Sequence, residues 1–441
     1  MSIETKKAIL IEKKQVFEQT FIVDLIQSCS IENGILKLTQ EEKQYYTDFF
    51  KKNISTISFF IPASGSGSRM FAFLYKWLEN GEETAQISQF FEKMTLFPFF
   101  NELIAAKKNK KEIVEEIIQR FASLPKGLIP FHSYKNGVRT AFQEHATQIK
   151  CFFGKESMIH FTVQKDFEED IQKNLENFSE VSFSYQNDET DAYCFDENKD
   201  VVKQQGEFLR RPAGHGALLE NLNKLNSDII VIKNIDNVQH FSKAETFHST
   251  SQELIGLLKS FKIELKKLLS DFSIENLKNL NQRFPFLQET DVEKMTYDDV
   301  LVFSKRPTRV CGMVKNEGEP GGGPFWISAK KGMNNQIIEK AQIDFENEQQ
   351  LAIVQESSHF NPVFITLSKT DVNGNLLDLM KFRDESKIFV VSKNYKGKKI
   401  FYRELPGLWN GSMSNWNTIF VEIPLAVFTP VKSVMDLLKT E

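Results

Sequence analysis

The chain has 441 residues, a formal net charge of −4, 26% charged residues and 41% hydrophobic residues. This balance is typical of a globular protein with a sizeable core, and it gives no electrostatic reason to expect nucleic acid or an anionic membrane as a partner. The four cysteines lie far apart, without a C-x-x-C pair, which argues against a disulfide scaffold or a zinc site. Without a signal-peptide core or a membrane-length apolar run, we expect a cytoplasmic protein.

The N-terminal residues carry apolar side chains at helical spacing, most clearly over residues 14–26 and 41–50. We therefore predict a helical cap over residues 1–53. Residues 57–61 are mostly β-branched or aromatic and predict a strand. This strand ends in a run of small residues that comes before a new helical pattern.

The run of small residues reads S-G-S-G-S-R, from Ser64, Gly65, Ser66, Gly67 and Ser68 to Arg69. A strand, a glycine-rich turn and a helix are how α/β proteins bind a phosphate, because backbone N–H groups and the helix N-terminus face the anion. The run is not a Walker loop, and it lacks the last glycine of the dinucleotide motif. A tight structural turn is the alternative interpretation.

Helical and strand-like segments alternate along the rest of the chain. Helical patterns cover residues 71–124, 139–150 and 241–282, and strand-like patterns cover residues 158–163, 181–185, 229–235, 336–344, 352–367 and 388–430. This alternation predicts an α/β fold with a mostly parallel sheet flanked by helices. We predict a core over residues 54–384, with helical insertions at about 71–124 and 241–300, and a β-rich extension over 385–441.

Three further segments carry candidate chemistry. Lys126 lies between a proline and a glycine, so a loop must present its side chain. A second glycine turn contains Gly214, His215 and Gly216. Asp236 follows a buried strand, and open α/β sheets place their chemistry at the carboxyl ends of their strands.

These segments, in this order, resemble the UDP-sugar pyrophosphorylase family of nucleotidyltransferases. The family signature A-G-G-x-G-T-R-L is similar to A-S-G-S-G-S-R-M at residues 63–70, and the family P-K-G is similar to residues 125–127. The family's P-x-G-N-G and V-D-N, and three later motifs, resemble residues 212–216, 235–237, 307–314, 337–343 and 358–360. The whole sequence also resembles a bacterial family described only as a domain of unknown function.

The resemblance implies a Rossmann-like, glycosyltransferase-A-like fold. It also implies a Mg²⁺-dependent nucleotidyltransferase that joins a sugar phosphate, or a similar small phosphate, to a nucleoside triphosphate and releases pyrophosphate. Arg69 and Lys126 would be catalytic, and Asp236 would bind Mg²⁺. Glu339 and Asn361 would bind the sugar, and the two glycine turns, residues 64–68 and 214–216, would bind the nucleotide. Lys381 and Lys393 are both candidates for the family's second catalytic lysine.

Each assignment has a structural alternative. Asp236 is also suited to cap a helix, and His215 to form structural hydrogen bonds. Trp409 is suited to core packing or to a sugar platform, and the loop at 321–323 to a lid or an anion site. Two other functions fit the same fold: a glycosyltransferase that uses a nucleotide sugar, or a catalytically inactive nucleotide-binding or scaffold protein.

Overall fold

The computed structural model describes residues 2–19, 21–31, 33–53, 56–100, 109–154, 156–318, 321–329 and 332–439. The helices in these residues are α1 (Ile3–Phe17), α2 (Gln40–Lys52), α3 (Ala72–Asn80), α4 (Ala85–Glu92), α5 (Lys110–Ile117), α6 (Ala141–Phe153), α7 (Glu168–Asn174), α8 (Leu219–Asn223), α9 (Glu245–Ser270), α10 (Ile274–Arg283), α11 (Glu289–Val292), α12 (Tyr297–Ser304) and α13 (Glu348–Gln355).

The strands are β1 (Leu25–Ser28), β2 (Ile35–Leu36), β3 (Ile57–Pro62), β4 (Pro130–Tyr134), β5 (Gly137–Thr140), β6 (Met158–Thr162), β7 (Val181–Ser184), β8 (Ala192–Tyr193), β9 (Lys203–Gln204), β10 (Glu207–Phe208), β11 (Arg210–Arg211), β12 (Ile229–Lys233), β13 (Thr308–Lys315), β14 (Gly323–Ser328), β15 (Met333–Ile338), β16 (His359–Phe360), β17 (Phe364–Ser368), β18 (Phe389–Tyr395), β19 (Lys398–Glu404) and β20 (Asn417–Glu422).

The chain divides into two compact units, each built from three segments. The first unit contains Met1–Ser55, Gln186–Ile229 and Gln252–Ile423, and the second contains Thr56–Tyr185, Ile230–Ser251 and Pro424–Glu441. Among the helices of the described residues, none is long and apolar enough to cross a membrane.

The second unit contains a run of strands in the order β12-β3-β6-β7. Strand β3 pairs in parallel with β6, and β6 pairs in parallel with β7. All residues of β3 from Ile57 to Ile61 are buried, which explains the almost unbroken apolar run, because both faces of a parallel sheet are covered. Strand β3 leads into the first glycine turn, and β12 leads into Asp236.

In the first unit the strand order is β2-β20-β13-β17. Strand β20 pairs in parallel with both β2 and β13, whereas β17 runs antiparallel to β13. A separate antiparallel sheet, β1-β14-β15, and the hairpin β18-β19 complete the strands that concern us here. The predicted α/β class with a mostly parallel, helix-flanked sheet is therefore confirmed.

Two element predictions were wrong in part. The helix predicted over residues 14–26 is instead α1, which ends at Phe17, and residues 25–28 form strand β1. Residues 352–367 were predicted to be strand-like, but α13 reaches Gln355 and only β16 and part of β17 follow. Both errors involve short apolar runs, in which periodicity alone cannot separate a buried helix from a strand.

Candidate functional site

The first glycine turn is joined to the P-K-G segment by main-chain hydrogen bonds. The N–H of Lys126 donates to the carbonyl oxygen of Gly65 at 3.0 Å, and the N–H of Gly67 donates to the carbonyl oxygen of Leu124 at 2.8 Å. These two bonds fix the loop that carries Lys126 against the turn. The helices that separate the two motifs in the sequence therefore do not separate them in space.

The two glycines of this turn serve different purposes. Neither has a positive φ, so the backbone conformation does not require glycine at either position. A Cβ atom on Gly67 would lie 2.6 Å from Cδ1 of Ile129, so close packing requires this glycine. A Cβ atom on Gly65 would meet nothing within 4 Å, so the space above Gly65 is open. The backbone of Gly65 is therefore accessible from this side.

The rest of the turn is largely exposed. The hydroxyls of Ser66 and Ser68 lie 3.0 Å apart, and the carbonyl oxygen of Ser64 accepts a hydrogen bond from the amide of Gln164. Arg69 is exposed, at the start of the 3₁₀ turn before α3, and its guanidinium has no hydrogen-bond or ion-pair partner among the described residues. The turn therefore exposes two hydroxyl groups and the guanidinium of Arg69, which has no partner among the described residues.

Lys126 and Asp236 form an ion pair in the second unit. Nζ of Lys126 lies 2.8 Å from Oδ2 of Asp236, and the side chains are 16% and 24% exposed. The same Nζ donates to the carbonyl oxygen of Val431 at 2.9 Å. Lys126 is therefore a positioned cation rather than a solvated surface lysine, and Asp236 is an ion-pair partner rather than a helix cap.

The sequence analysis missed the C-terminal segment that holds this pair. The N–H of Val431 donates to the carbonyl oxygen of Asp236 at 2.9 Å, and the N–H of Thr429 donates to the side-chain oxygen of Asn237 at 2.9 Å. The contact with Lys126 uses a backbone carbonyl, which every residue type carries. No sequence signal could have identified Val431 as part of the site.

A buried histidine supports the turn that carries Asp236. Nε2 of His145, on α6, lies 3.2 Å from the carbonyl oxygen of Ile235. Burial, together with the positive charge of Lys233, holds the pKa of His145 well below its usual value. The ring is therefore neutral at physiological pH, and its Nε2–H is the donor to Ile235.

The described residues suit a Mg²⁺ ion only if substrate phosphates supply most of its ligands. No cluster of three or more His, Cys, Asp or Glu side chains suited to a metal is present among them. Asp236 offers one carboxylate, of which Oδ2 is bonded to Lys126. Mg²⁺ commonly takes one or two carboxylates together with water and substrate phosphate oxygens. Asp236 therefore suits a metal ion that is held mainly by phosphates.

The second glycine turn contributes to a different cluster, which lies in the first unit. The rings of His215 and Trp409 stack with their centroids 4.1 Å apart. The indole N–H of Trp409 donates to Oε1 of Glu339 at 3.3 Å, and Nε2 of His215 lies 3.6 Å from the same oxygen. Because Nδ1 of His215 accepts a hydrogen bond from the N–H of Leu408, the ring proton of neutral His215 is on Nε2.

This His215–Trp409–Glu339 cluster keeps its carboxylate ionised. Burial alone would raise the pKa of Glu339, but the nearby Nε2–H of His215 and the hydrogen bond from Trp409 outweigh it and lower the pKa. For Glu404, which lies beside Gly214, burial prevails and raises the pKa. Gly214 has φ +74°, a conformation that favours glycine, and Gly216 packs directly against the backbone of Pro406.

A buried arginine positions the tryptophan of the cluster. The guanidinium of Arg309 donates to the carbonyl oxygen of Trp409 at 2.7 Å, to the hydroxyl of Thr418 at 2.9 Å and to the side chain of Gln336 at 3.0 Å. Arg309 was not singled out from the sequence. Its fully buried position on β13 gives the backbone of Trp409 a fixed, charged anchor.

Asn361, predicted to bind sugar, is occupied by structural bonds. Its amide nitrogen donates to the carbonyl oxygen of Gly312 at 2.8 Å, and its amide oxygen accepts from the N–H of Val363 at 3.1 Å. These contacts anchor the chain at the end of β16. The sugar role of Asn361 stays a prediction. Lys381 and Lys393 are both exposed in the first unit, so the choice of a second catalytic lysine stays open.

A family model described as a domain of unknown function (DUF4301) matches residues 2–441. No curated protein sequence matches the chain. Among solved structures, the chain is similar to the UDP-N-acetylglucosamine pyrophosphorylase of Trypanosoma brucei in complex with an inhibitor, with a TM-score of 0.52 and 12% identity, covering 99% of this chain and 75% of that chain. It is also similar to a UDP-glucose pyrophosphorylase mutant from Leishmania major in complex with UDP-glucose, with a TM-score of 0.46 and 12% identity, covering 98% of this chain and 74% of that chain. At this identity the likeness to the T. brucei structure concerns the fold.

Proposed function

The chain belongs to the DUF4301 family, and we propose that it is a Mg²⁺-dependent nucleotidyltransferase. It would join a sugar phosphate, or a similar small phosphorylated compound, to a nucleoside triphosphate and release pyrophosphate. The observation that carries the proposal is the ion pair of Lys126 with Asp236, on a loop bonded to an open glycine turn. The fold shared with the T. brucei enzyme, whose name specifies such a reaction, supports it.

Nucleotidyl transfer makes a specific electrostatic demand. Two anionic substrates must approach each other, and negative charge develops on the phosphate oxygens, so catalysis depends on positioning and on nearby positive charge. The second unit offers backbone N–H groups and hydroxyls at the glycine turn. It also offers the uncommitted Arg69 and the positioned Lys126. These groups are of the kinds that bind and orient a triphosphate.

In the proposed site, an arriving triphosphate changes the partners of Lys126 and Asp236. Phosphate oxygens would replace Asp236 as acceptors for Nζ of Lys126, and the released carboxylate would hold the Mg²⁺ that accompanies the phosphates. Bound Mg²⁺ supplies positive charge to the phosphate oxygens. The carbonyl oxygen of Val431 would keep Lys126 directed towards the phosphates. Arg69 would pair with the departing pyrophosphate through its forked donors.

The cluster in the first unit suits a ligand rich in hydroxyl groups. Glu339 is an ionised carboxylate with an orienting donor on one oxygen, and the half-buried ring of Trp409 is held by Arg309. Ionised carboxylates accept hydrogen bonds from sugar hydroxyls, and aromatic faces pack against sugar C–H groups. We assign sugar recognition to Glu339, and nucleotide binding by the turn of Gly214, His215 and Gly216 stays a prediction.

A second candidate, a nucleotide-binding protein without turnover, is favoured by one observation. Among the described residues, Asp236 is not accompanied by further acidic side chains in a metal-binding cluster. A single carboxylate that is already paired with Lys126 binds a free metal ion weakly. Such a protein would bind a nucleotide at the glycine turn and release no pyrophosphate.

The experiment that tests the proposal combines binding with turnover. The full chain is titrated with ATP, CTP, GTP, UTP, dTTP and a panel of nucleotide sugars, with and without Mg²⁺, while its melting temperature is followed. A ligand that binds only the folded state raises this temperature. We expect one nucleotide to do so strongly, and more strongly with Mg²⁺. Pyrophosphate release is then measured with that nucleotide and a panel of hexose 1-phosphates.

The outcomes separate the candidates. Pyrophosphate release that depends on a sugar phosphate supports the transferase. Binding of a nucleotide without pyrophosphate release supports the inactive protein, and sugar transfer from a nucleotide sugar supports the glycosyltransferase. If no nucleotide or nucleotide sugar shifts the melting temperature, both the transferase and the nucleotide-binding protein are wrong.

A further inference from the structure

A cavity lies within the first unit, and none of the residues that line it belongs to the His215–Trp409–Glu339 cluster. It has a volume of about 320 Å³, at the lower end of the range for small-molecule sites. Much of its wall is apolar. The apolar residues lie on α12, on β14 and in the segments that precede α11 and α12, and they include Phe286, Met295, Val302, Phe303 and Ile327. The remaining wall is polar and includes Arg306, Lys387, Trp416 and Asn417.

The polar wall contains donors without acceptors. The guanidinium of Arg306 and Nζ of Lys387 have no hydrogen-bond or ion-pair partner among the residues that the structure describes. Trp416 is 1% exposed, and its indole N–H is buried and has no acceptor among the described residues. A buried polar group without a partner destabilises the folded state, so such groups usually have a partner.

The acidic residues of the wall do not meet this need. Oδ2 of Asp299 accepts hydrogen bonds from the N–H and hydroxyl of Thr296, which caps α12. Oδ1 of Asp384 accepts hydrogen bonds from the N–H and hydroxyl of Ser386. Both carboxylates are engaged in local turns. The guanidinium of Arg306 lies over the ring of Phe303, 5.2 Å from its centre, but neither cation has an anionic partner among the described residues. The cavity therefore offers two cations to an anionic ligand.

We propose that this cavity binds a small organic acid, a carboxylate with an apolar body about the size of one ring. The carboxylate would bind Arg306 and Lys387 and accept from the indole N–H of Trp416, and the apolar body would contact Phe286, Met295 and Val302. A guanidinium suits a carboxylate because its forked donors match the two oxygens. A singly charged carboxylate suits a largely apolar cavity better than a doubly charged phosphate, because burying charge is costly.

The test is isothermal titration of the full chain with four probes: phenylacetate, phenylacetamide, phenyl phosphate and acetate. We expect saturable binding of phenylacetate at or below about 1 mM, and binding at least roughly tenfold weaker for the neutral amide. Acetate, which lacks the apolar body, is expected to bind weakest. Phenyl phosphate is expected to bind more weakly than phenylacetate.

Two variants at the cavity and two control variants locate the site. Arg306→Gln and Trp416→Phe each remove a donor and should weaken phenylacetate binding at least about tenfold. Lys305→Gln removes an exposed charge next to Arg306 and should leave binding unchanged. Lys126→Ala, in the other unit, should also leave binding unchanged, which separates this cavity from the proposed nucleotide site. If Arg306→Gln does not fold, Lys387→Gln takes its place.

Each contrary result overturns the proposal in a defined way. If none of the probes binds up to about 10 mM, the cavity holds only water. Equal binding of phenylacetamide and phenylacetate overturns anion recognition, and tighter binding of phenyl phosphate overturns the preference for a carboxylate. Unchanged binding in both Arg306→Gln and Trp416→Phe places the ligand elsewhere.

Discussion

Lys126 and Asp236 are 110 residues apart in the sequence, and Nζ of the lysine lies 2.8 Å from Oδ2 of the aspartate. The pair is only partly exposed, and the backbone of Val431 bonds to both residues. Because each charge is neutralised by the other, the pair can be kept beside an open glycine turn without an anionic ligand. The following predictions begin from this pair.

Replacing either member of the pair should abolish most of the proposed activity. Lys126→Ala removes a cation placed for phosphate oxygens, and we expect a fall in kcat/KM of about 10²–10³-fold, as is usual for loss of one electrostatic group. Asp236→Asn should produce a similar fall and should also remove the effect of Mg²⁺ on nucleotide binding. Steady-state pyrophosphate release measures both. Lys135→Ala, an exposed lysine of the same unit, serves as the control and should behave like wild type.

The two glycines of the first turn should respond to alanine in opposite ways. In Gly67→Ala the new Cβ would crowd Ile129, and we expect a loss of about 1–3 kcal/mol in the free energy of unfolding. In Gly65→Ala the Cβ meets no atom within 4 Å, so stability should be unchanged while nucleotide affinity falls. Urea unfolding and nucleotide titration of both variants give the comparison. A destabilised Gly65→Ala with normal affinity would contradict the assignment of the open space to a ligand.

Lys233 should make stability depend on pH. Burial lowers the pKa of this lysine from 10.5 to about 7, and its Nζ lies 3.8 Å from the centre of the Phe247 ring. Between these two pKa values the unfolded chain binds more protons than the folded chain, so the free energy of unfolding should rise with pH, by at most about 1.4 kcal/mol per pH unit. Urea unfolding from pH 7 to pH 9 measures this slope.

Lys233→Met should reduce that slope, because the titrating group is gone. Lys135→Met, at an exposed position, should keep the wild-type slope. Equal slopes in wild type and Lys233→Met would show that Lys233 has the same pKa in the folded and unfolded chains.

Glu404 should make the free energy of unfolding fall with rising pH, in a lower pH range than the one in which Lys233 makes it rise. Burial, with a contribution from the charge of Glu339, raises the pKa of Glu404 above 4.5. A raised pKa in the folded state means that stability is greatest below about pH 4.5 and falls as the pH rises through the folded-state value. Glu404→Gln should therefore be more stable than wild type at pH 7, with the difference shrinking at about pH 4.

Urea unfolding of wild type and Glu404→Gln at both pH values checks this prediction. Glu207→Gln, at an exposed position on β10, is the matched control and should show no such gain. A Glu404→Gln variant that is less stable than wild type at pH 7 would contradict the stated cause of the shift.

Local sequence patterns determined much of the architecture. The apolar run of β3 and the buried run of β12 were recognisable because both faces of a parallel strand are covered, which leaves an unbroken apolar stretch. Helices α9 and α10 were recognisable from helical spacing. The candidate residues Lys126 and Asp236 stood out because a P-K-G loop and the end of a strand are local features.

Only the tertiary structure decided which of these residues meet. The pairing of Lys126 with Asp236, the backbone carbonyl of Val431 and the anchoring of Trp409 by Arg309 depend on contacts between segments that are distant in the sequence. The different roles of Gly65 and Gly67 depend on the atoms that surround each Cα atom. These surroundings cannot be inferred from the residue type, which is the same at both positions. The sequence by itself determined most of the secondary structure and the types of chemical group available, because these follow largely from local periodicity and residue type. Their partners and burial were decided by long-range packing.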